Sequence, residues 1–254
     1  MKKTLLLLIA SILVVACHED PDDNTTPLAS VSFNFTHHWD DTVIDNSNLQ
    51  TEIVTNENGE VISMSRIRYL VSKFQLANTS GDIYTFDGYK FTDVSDETTY
   101  NFTPEINNIP TGTYTLNFIW GFNEADNIDG AYQDLNTESW SWPANLGGGY
   151  HFLQFDGMYN VDTTASSPFN YHNGTARVSD GVFEQNFAVI VLETPIIISN
   201  DASIEVKMNI AEFFKNPNTW DLNVLDTPLM PNYNAQKMMQ NNVLSVFSIG
   251  EISL

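Results

Sequence analysis

Four histidines lie beyond the first thirty residues of the chain: His37, His38, His151 and His172. Neutral imidazole is the usual ligand of copper and zinc, and a three-histidine set with an open position suits either metal. These residues come from segments far apart in sequence, so only a fold can gather them. Thiolate is not a competing donor, because the one cysteine, Cys17, ends an N-terminal apolar stretch. The methionines, including the adjacent Met238 and Met239, show no spacing with the histidines and read as packing residues.

Other chemistries have no comparable signal. The chain has no nucleophile elbow, phosphate loop, dinucleotide fingerprint or H-E-x-x-H pair. Asp156 and Glu193 are carboxylates that could do acid–base work, but nothing in their spacing selects them among 32 acidic residues. No catalytic residue is assigned, and the chain is not read as an enzyme. Asn123 to Gly130, NEADNIDG, has the oxygens of a calcium loop without its spacing or closing Glu, and reads as an ordinary turn.

The elements that must position the histidines are strands. VSFNFTHHW (31–39) alternates, with Phe33, Phe35, His37 and Trp39 on one face and Asn34, Thr36 and His38 on the other. The apolar face points inward. His37 therefore belongs at the rim of the core, as a ligand or as a hydrogen-bonded core histidine, and His38 faces away. Further strands are expected over 65–78, 82–94 with Asp87-Gly88 between two aromatic runs, 112–122, 149–159, 187–193 and 203–210. Helical signals are confined to 211–214 and to 234–242, where Asn234 could act as N-cap. Trp140-Ser141-Trp142-Pro143 followed by Gly147-Gly148-Gly149 predicts a loop of close backbone approach beside His151. The pattern predicts an all-β fold: a single β-sandwich or barrel-like domain over 31–254 with few short helices.

The N-terminus reads as an address. Lys2 and Lys3 precede an apolar run from Leu5 to Val15, too short for a membrane span of roughly 20 residues. Val14-Val15-Ala16-Cys17 resembles a lipobox, which predicts a signal peptide over 1–16 and a lipid on the Cys17 thiol, holding the protein to a bilayer. Residues 17–30 are an acidic tether, whose HEDPDD start resembles surface-export signals of outer-membrane lipoproteins. The net charge is -22. Phosphate backbones repel such a surface, which excludes nucleic acid as the expected partner.

Seven segments together carry a resemblance to the MbnP-like family. They are FNFTHHWDD (33–41), SRIRYLVSKFQL (65–76), IPTGTYTLNFIWGFNE (109–124), SWSWPANLGGGYHFLQFDG (139–157), FNYHNGTA (169–176), EVKMNIAEFF (205–214) and NAQKMMQNNVLSVFSI (234–249). The resemblance covers roughly 31–252. It implies a periplasmic or surface protein that works beside copper-chelating peptides and their uptake systems, with an outer-membrane uptake or metal-handling protein as partner. It implies histidine-bound copper, with zinc as the alternative, and in some members a Trp oxidised to kynurenine at the metal. His37, His151 and His172 fall in three of these motifs, and the expected site is these three ligands with Trp39, Trp140 and Trp142 nearby. The competing expectation is a surface module that binds a peptide, glycan or partner protein through aromatics such as Trp140 and Trp142, with structural histidines.

Overall fold

In the computed structural model, which describes residues 26–254, two β-sheets face each other across one aromatic core. Cys17, the signal sequence and most of the acidic tether lie outside the described residues. One sheet runs in the order Phe247–Ser253, Ala202–Asn209, Leu28–Trp39, Thr42–Val43. The other runs Ser167–Asn173, Leu153–Tyr159, Val61–Asn78, Gly112–Trp120, Ala188–Ile198, with Ile83–Asp93 and Ile53–Thr55 also paired to Val61–Asn78. The all-β sandwich expected from the sequence is the observed fold. Among the described residues no helix is long and apolar enough to cross a membrane.

The alternation of the first strand extends further than its sequence pattern suggested. The strand begins at Leu28, where Leu28, Ala29 and Ser30 pair with Pro110, Ile109 and Asn108, so the folded part starts inside the stretch read as tether. Phe33, Phe35 and His37 are all buried between the sheets. Phe33 meets Phe74 of the facing sheet at 5.1 Å between ring centres, and Phe35 meets Tyr69 at 6.0 Å. The strand pairs in parallel with Ala202–Asn209, setting His37 beside Met208. No local pattern announces that pairing.

The strand expected over 82–94 is observed as Ile83–Asp93, and the expected helix cap is corrected. Asp87-Gly88 is a bulge within the continuous strand Ile83–Asp93, where the register shifts opposite Lys73. Gly88 takes φ +100°, which glycine adopts freely, and a bulge absorbs it without ending the strand. The helix Tyr233–Asn242 is capped by Asn232 rather than Asn234: Asn232 is extended and its side chain accepts from the Ala235 backbone N–H, leaving Asn234 inside the first turn. A short helix, Gln133–Thr137, was not anticipated.

Strand parity gives the larger sheet two unlike faces. Ile67, Tyr69, Val71, Phe155, Phe169 and Tyr171 line the sandwich core. Their alternating neighbours Arg66, Arg68, Gln154, Asp156, Asn170 and His172 face outward. The chain between Gly121 and Phe152 folds over part of that outer face, and its Phe122, Leu135, Trp140 and Tyr150 form a second buried cluster with Leu70.

Candidate metal centre

The outer-face residues stand in register across three strands. Arg66 pairs with Asp156 and Arg68 with Gln154, while on the next strand Asn170 pairs with Asp156 and His172 with Gln154. Side chains on one face at these positions are close enough to bond directly. Arg66 Nε donates to Asp156 Oδ2 at 2.6 Å, Asn170 Nδ2 donates to Asp156 Oδ1 at 2.6 Å, and His172 Nε2 meets Asp156 Oδ1 at 2.8 Å. Arg68 reaches Gln154 Oε1 at 2.6 Å and lies over the Trp140 ring, 5.4 Å from its centre.

His151 arrives from the covering loop. Its backbone N–H donates to the Trp140 carbonyl at 2.9 Å, and the Trp142 N–H returns to the Gly149 carbonyl at 2.8 Å, so 140–142 and 149–151 run as a short antiparallel ladder. Gly147, Gly148 and Gly149 all have positive φ, and a Cβ at any of them would strike Thr175, Asp129 or Asn127 respectively. The NEADNIDG segment thus grips the glycine loop: Asp129 accepts from the Gly149 N–H and Asn127 from the Tyr150 N–H at 2.9 Å.

The result is a pair of imidazoles, His151 and His172, with ring centres 5.4 Å apart and planes at 80°. Each has one nitrogen committed to an oxygen acceptor. His151 Nδ1 lies 3.1 Å from the Trp140 carbonyl and His172 Nε2 lies 2.8 Å from Asp156. A carbonyl or carboxylate only accepts, so these nitrogens carry a proton, and in the neutral tautomers that such bonds select the opposite nitrogens, His151 Nε2 and His172 Nδ1, are the ones with a lone pair. Burial pushes the His151 pKa down to about 3, helped by His172 and by Arg66 and Arg68 and opposed by the Trp140 carbonyl, so its ring is neutral at physiological pH. Burial alone would raise the Asp156 carboxyl, but the bonds from His172 and Asn170 and the charge of Arg66 outweigh it and hold it at about 2.

Aromatic walls close the back of the pair. Trp142 and Trp140 stand 4.9 and 5.5 Å from the His151 ring, both buried. On the other side His172 opens onto a cavity of about 480 Å³, lined also by Leu146, Asn170, Leu229 and Met230.

His37 is not part of this pair. The parity that directs it inward places it on the far side of the sheet, between the two layers. There its Nε2 lies 3.0 Å from the Tyr69 hydroxyl, its ring packs edge-on against Tyr100, and its Nδ1 has no partner. Burial, with a smaller push from His38, lowers its pKa to about 3. Trp39 stays with His37's strand and packs on Phe214. His38 faces out as expected, 3.1 Å from Thr36 Oγ1. Among the described residues no group of three or more His, Cys, Asp or Glu is gathered to hold a metal ion. The sequence missed Asp156 as the partner of His172. Its parity with Gln154 in LQFDG was the available signal, but that signal needs the strand register to become specific.

A family model described as MbnP matches residues 28–238 of this chain. Among solved structures the chain is similar to MbnP from Methylosinus trichosporium, at 12% sequence identity and a TM-score of 0.54, with 88% of this chain and 99% of that chain covered. At that identity the likeness concerns the fold. No curated protein matches the chain by sequence.

Proposed function

Since the chain belongs to the MbnP family, we propose that it is an exported, lipid-anchored protein that binds copper as cargo at the His151–His172 pair, for capture or hand-off. Zinc is the alternative metal. The observation that carries this reading is the division of labour within each ring. One nitrogen of each is held by an oxygen acceptor, which leaves the other free as a ligand. Such bonds fix the tautomer and orientation of metal-binding histidines. Two imidazoles that bind one ion at roughly 2 Å and a near-tetrahedral angle hold their ring centres roughly 5 to 5.5 Å apart. The separation here is 5.4 Å.

The remaining residues serve binding rather than turnover. Asp156 is occupied by Arg66, Asn170 and His172, so it orients an imidazole and is not free to move protons. Trp140 and Trp142 exclude water behind His151. Their burial argues against the alternative of a glycan- or peptide-stacking module, which needs exposed aromatic faces. In this reading the lipid on Cys17 keeps the domain at the outer membrane, on the cell-surface side, where an uptake or metal-handling protein takes over the ion. Its acidic surface raises the local concentration of cations.

The test is metal analysis of Cys17→Ser protein exposed to excess copper or zinc and then desalted. One retained ion per chain is expected, and a metal-free protein contradicts the reading.

A further inference from the structure

Five exposed apolar side chains gather at one end of the sandwich. Leu28, Ile83, Ile106, Ile197 and Leu254 are each between 60% and 78% exposed. Strand register brings them together. Leu28 opens the first strand and pairs with Pro110, and the Thr111 N–H donates to the Pro27 carbonyl at 2.8 Å. Gly112 follows and pairs with Ile198, which sets Ile197 opposite Thr113. Asn78 pairs with Tyr114 and Ala77 with Ile83, while the Tyr114 hydroxyl donates to the Pro110 carbonyl at 2.5 Å. Ile106 precedes Asn107, whose carbonyl accepts from the Val31 N–H at 3.0 Å. In the smaller sheet Val31 pairs with Ala202 and Ser203 with Ser253, which brings Leu254 to the level of the same first-strand residues.

Charge at this end limits what it can meet. The segments 27–31, 78–83, 105–113, 197–203 and 253–254 contain no Lys or Arg, so they offer no electrostatic attraction to phosphate groups. Two of their carboxylates are turned into local bonds: Asp201 accepts from the Ser30 N–H at 2.7 Å and Asp82 from Asn78 Nδ2 at 2.8 Å. Contact here is apolar, and apolar tips exposed to this extent on one end mark a surface that meets a partner.

The position of Cys17 says which partner. It precedes Leu28 by eleven residues (17 to 28), a length that spans at most roughly 40 Å when fully extended. A lipid on Cys17 therefore delivers the end that carries Leu28 to the bilayer first. Once the lipid holds the domain there, side chains too weak to bind a membrane alone act at a high local concentration of lipid.

We propose that this end of the sandwich rests on the bilayer, with Leu28, Ile83, Ile106, Ile197 and Leu254 entering the boundary between headgroups and acyl chains. The inference rests on the reading of Cys17 as lipidated. It also sets the height of the histidine pair. His172 pairs with Gln154 and Gln154 with Arg68, which lies ten residues (68 to 78) before Asn78 on one strand. At about 3.3 Å per residue the pair stands up to roughly 33 Å above the contact, clear of the lipid and open to a soluble or membrane partner.

The test uses the full lipidated chain in phosphatidylcholine vesicles whose acyl chains carry bromine. Cys17 is the one cysteine and its thiol is acylated, so Ile106→Cys or Glu57→Cys supplies a single free thiol for a fluorescent label. Glu57 lies in the hairpin before Val61, at the opposite end of the same long strand. Bromine should quench the label at 106 by at least about twofold more than the label at 57. Ile83→Asp combined with Ile197→Asp, both at exposed positions, should bring the label at 106 down to the level at 57 while the protein stays on the vesicles. Equal quenching at 106 and 57 in vesicle-bound protein, or quenching that survives the two Asp substitutions, overturns the contact and leaves the anchor standing. Protein that does not float with the vesicles overturns the anchor and the contact together.

Discussion

His172 Nε2 lies 2.8 Å from Asp156 Oδ1, and that bond decides which nitrogen of the ring stays free. Asp156→Asn keeps the size of the side chain but can present its N–H₂ to the ring and invert the tautomer. Metal affinity should fall by about 10–100-fold, the usual effect of losing such a support. Calorimetric titration measures this, and unchanged affinity would remove Asp156 from the site.

The glycine loop should tolerate no side chain. Gly149 sits at φ +83°, and its Cβ would run into the Asn127 amide that holds Tyr150. Gly149→Ala combines backbone strain with a displaced hydrogen bond and should destabilise the protein by more than about 1 kcal/mol. Denaturant unfolding reads the loss. A change within about 0.3 kcal/mol would mean that the loop relaxes freely.

Stability should fall as acid is added. His37 and His151 have folded-state pKa values of about 3, whereas an unfolded histidine titrates near 6.5. Between these limits the unfolded chain binds protons that the folded one does not, so each contributes a loss of about 1.4 kcal/mol per pH unit as pH drops below about 6.5. The depressed Asp156 acts in the same sense at lower pH: its contribution is present above its unfolded value of 3.8 and is lost as pH falls through about 2. Urea unfolding of the protein and of His37→Phe at about pH 6.5 and 5 separates the histidine terms. The variant should show the shallower slope, and equal slopes would contradict the burial argument.

Gln236, buried on the helix Tyr233–Asn242, donates from Nε2 to the His172 and Leu229 carbonyls at 2.7 and 3.2 Å and accepts at Oε1 from Asn173 Nδ2 and the Gly174 N–H. Gln236→Leu strands its partners inside the protein, at about 1–3 kcal/mol for each group left unpaired. Thermal unfolding should shift down by many degrees. A near-native melting temperature would show that water replaces the amide.

Much of the fold was legible because it rests on local alternation. Phe33, Phe35 and His37 share a face in the sequence and share the core in the structure. The same parity could not say that His151 and His172 would lie on the opposite side of the facing sheet, because that depends on how strands distant in sequence stack. Trp140 and Trp142 could be placed beside His151 from their shared loop, while Trp39 follows its own strand toward Phe214. The role of Gln236 was not legible at all. It acquires its place only when the helix Tyr233–Asn242 packs against the end of the His172 strand, and no periodicity encodes that contact.

The central claim is that His151 and His172 bind the metal while His37 serves the core. Copper titration of three variants in the Cys17→Ser protein, His151→Ala, His172→Ala and His37→Phe, tests it most directly. Loss of either member of the pair should weaken binding by more than about 100-fold, beyond the range of supporting residues, whereas His37→Phe should leave affinity within a few-fold. Undiminished binding in His151→Ala and His172→Ala, or a collapse confined to His37→Phe, would contradict the account.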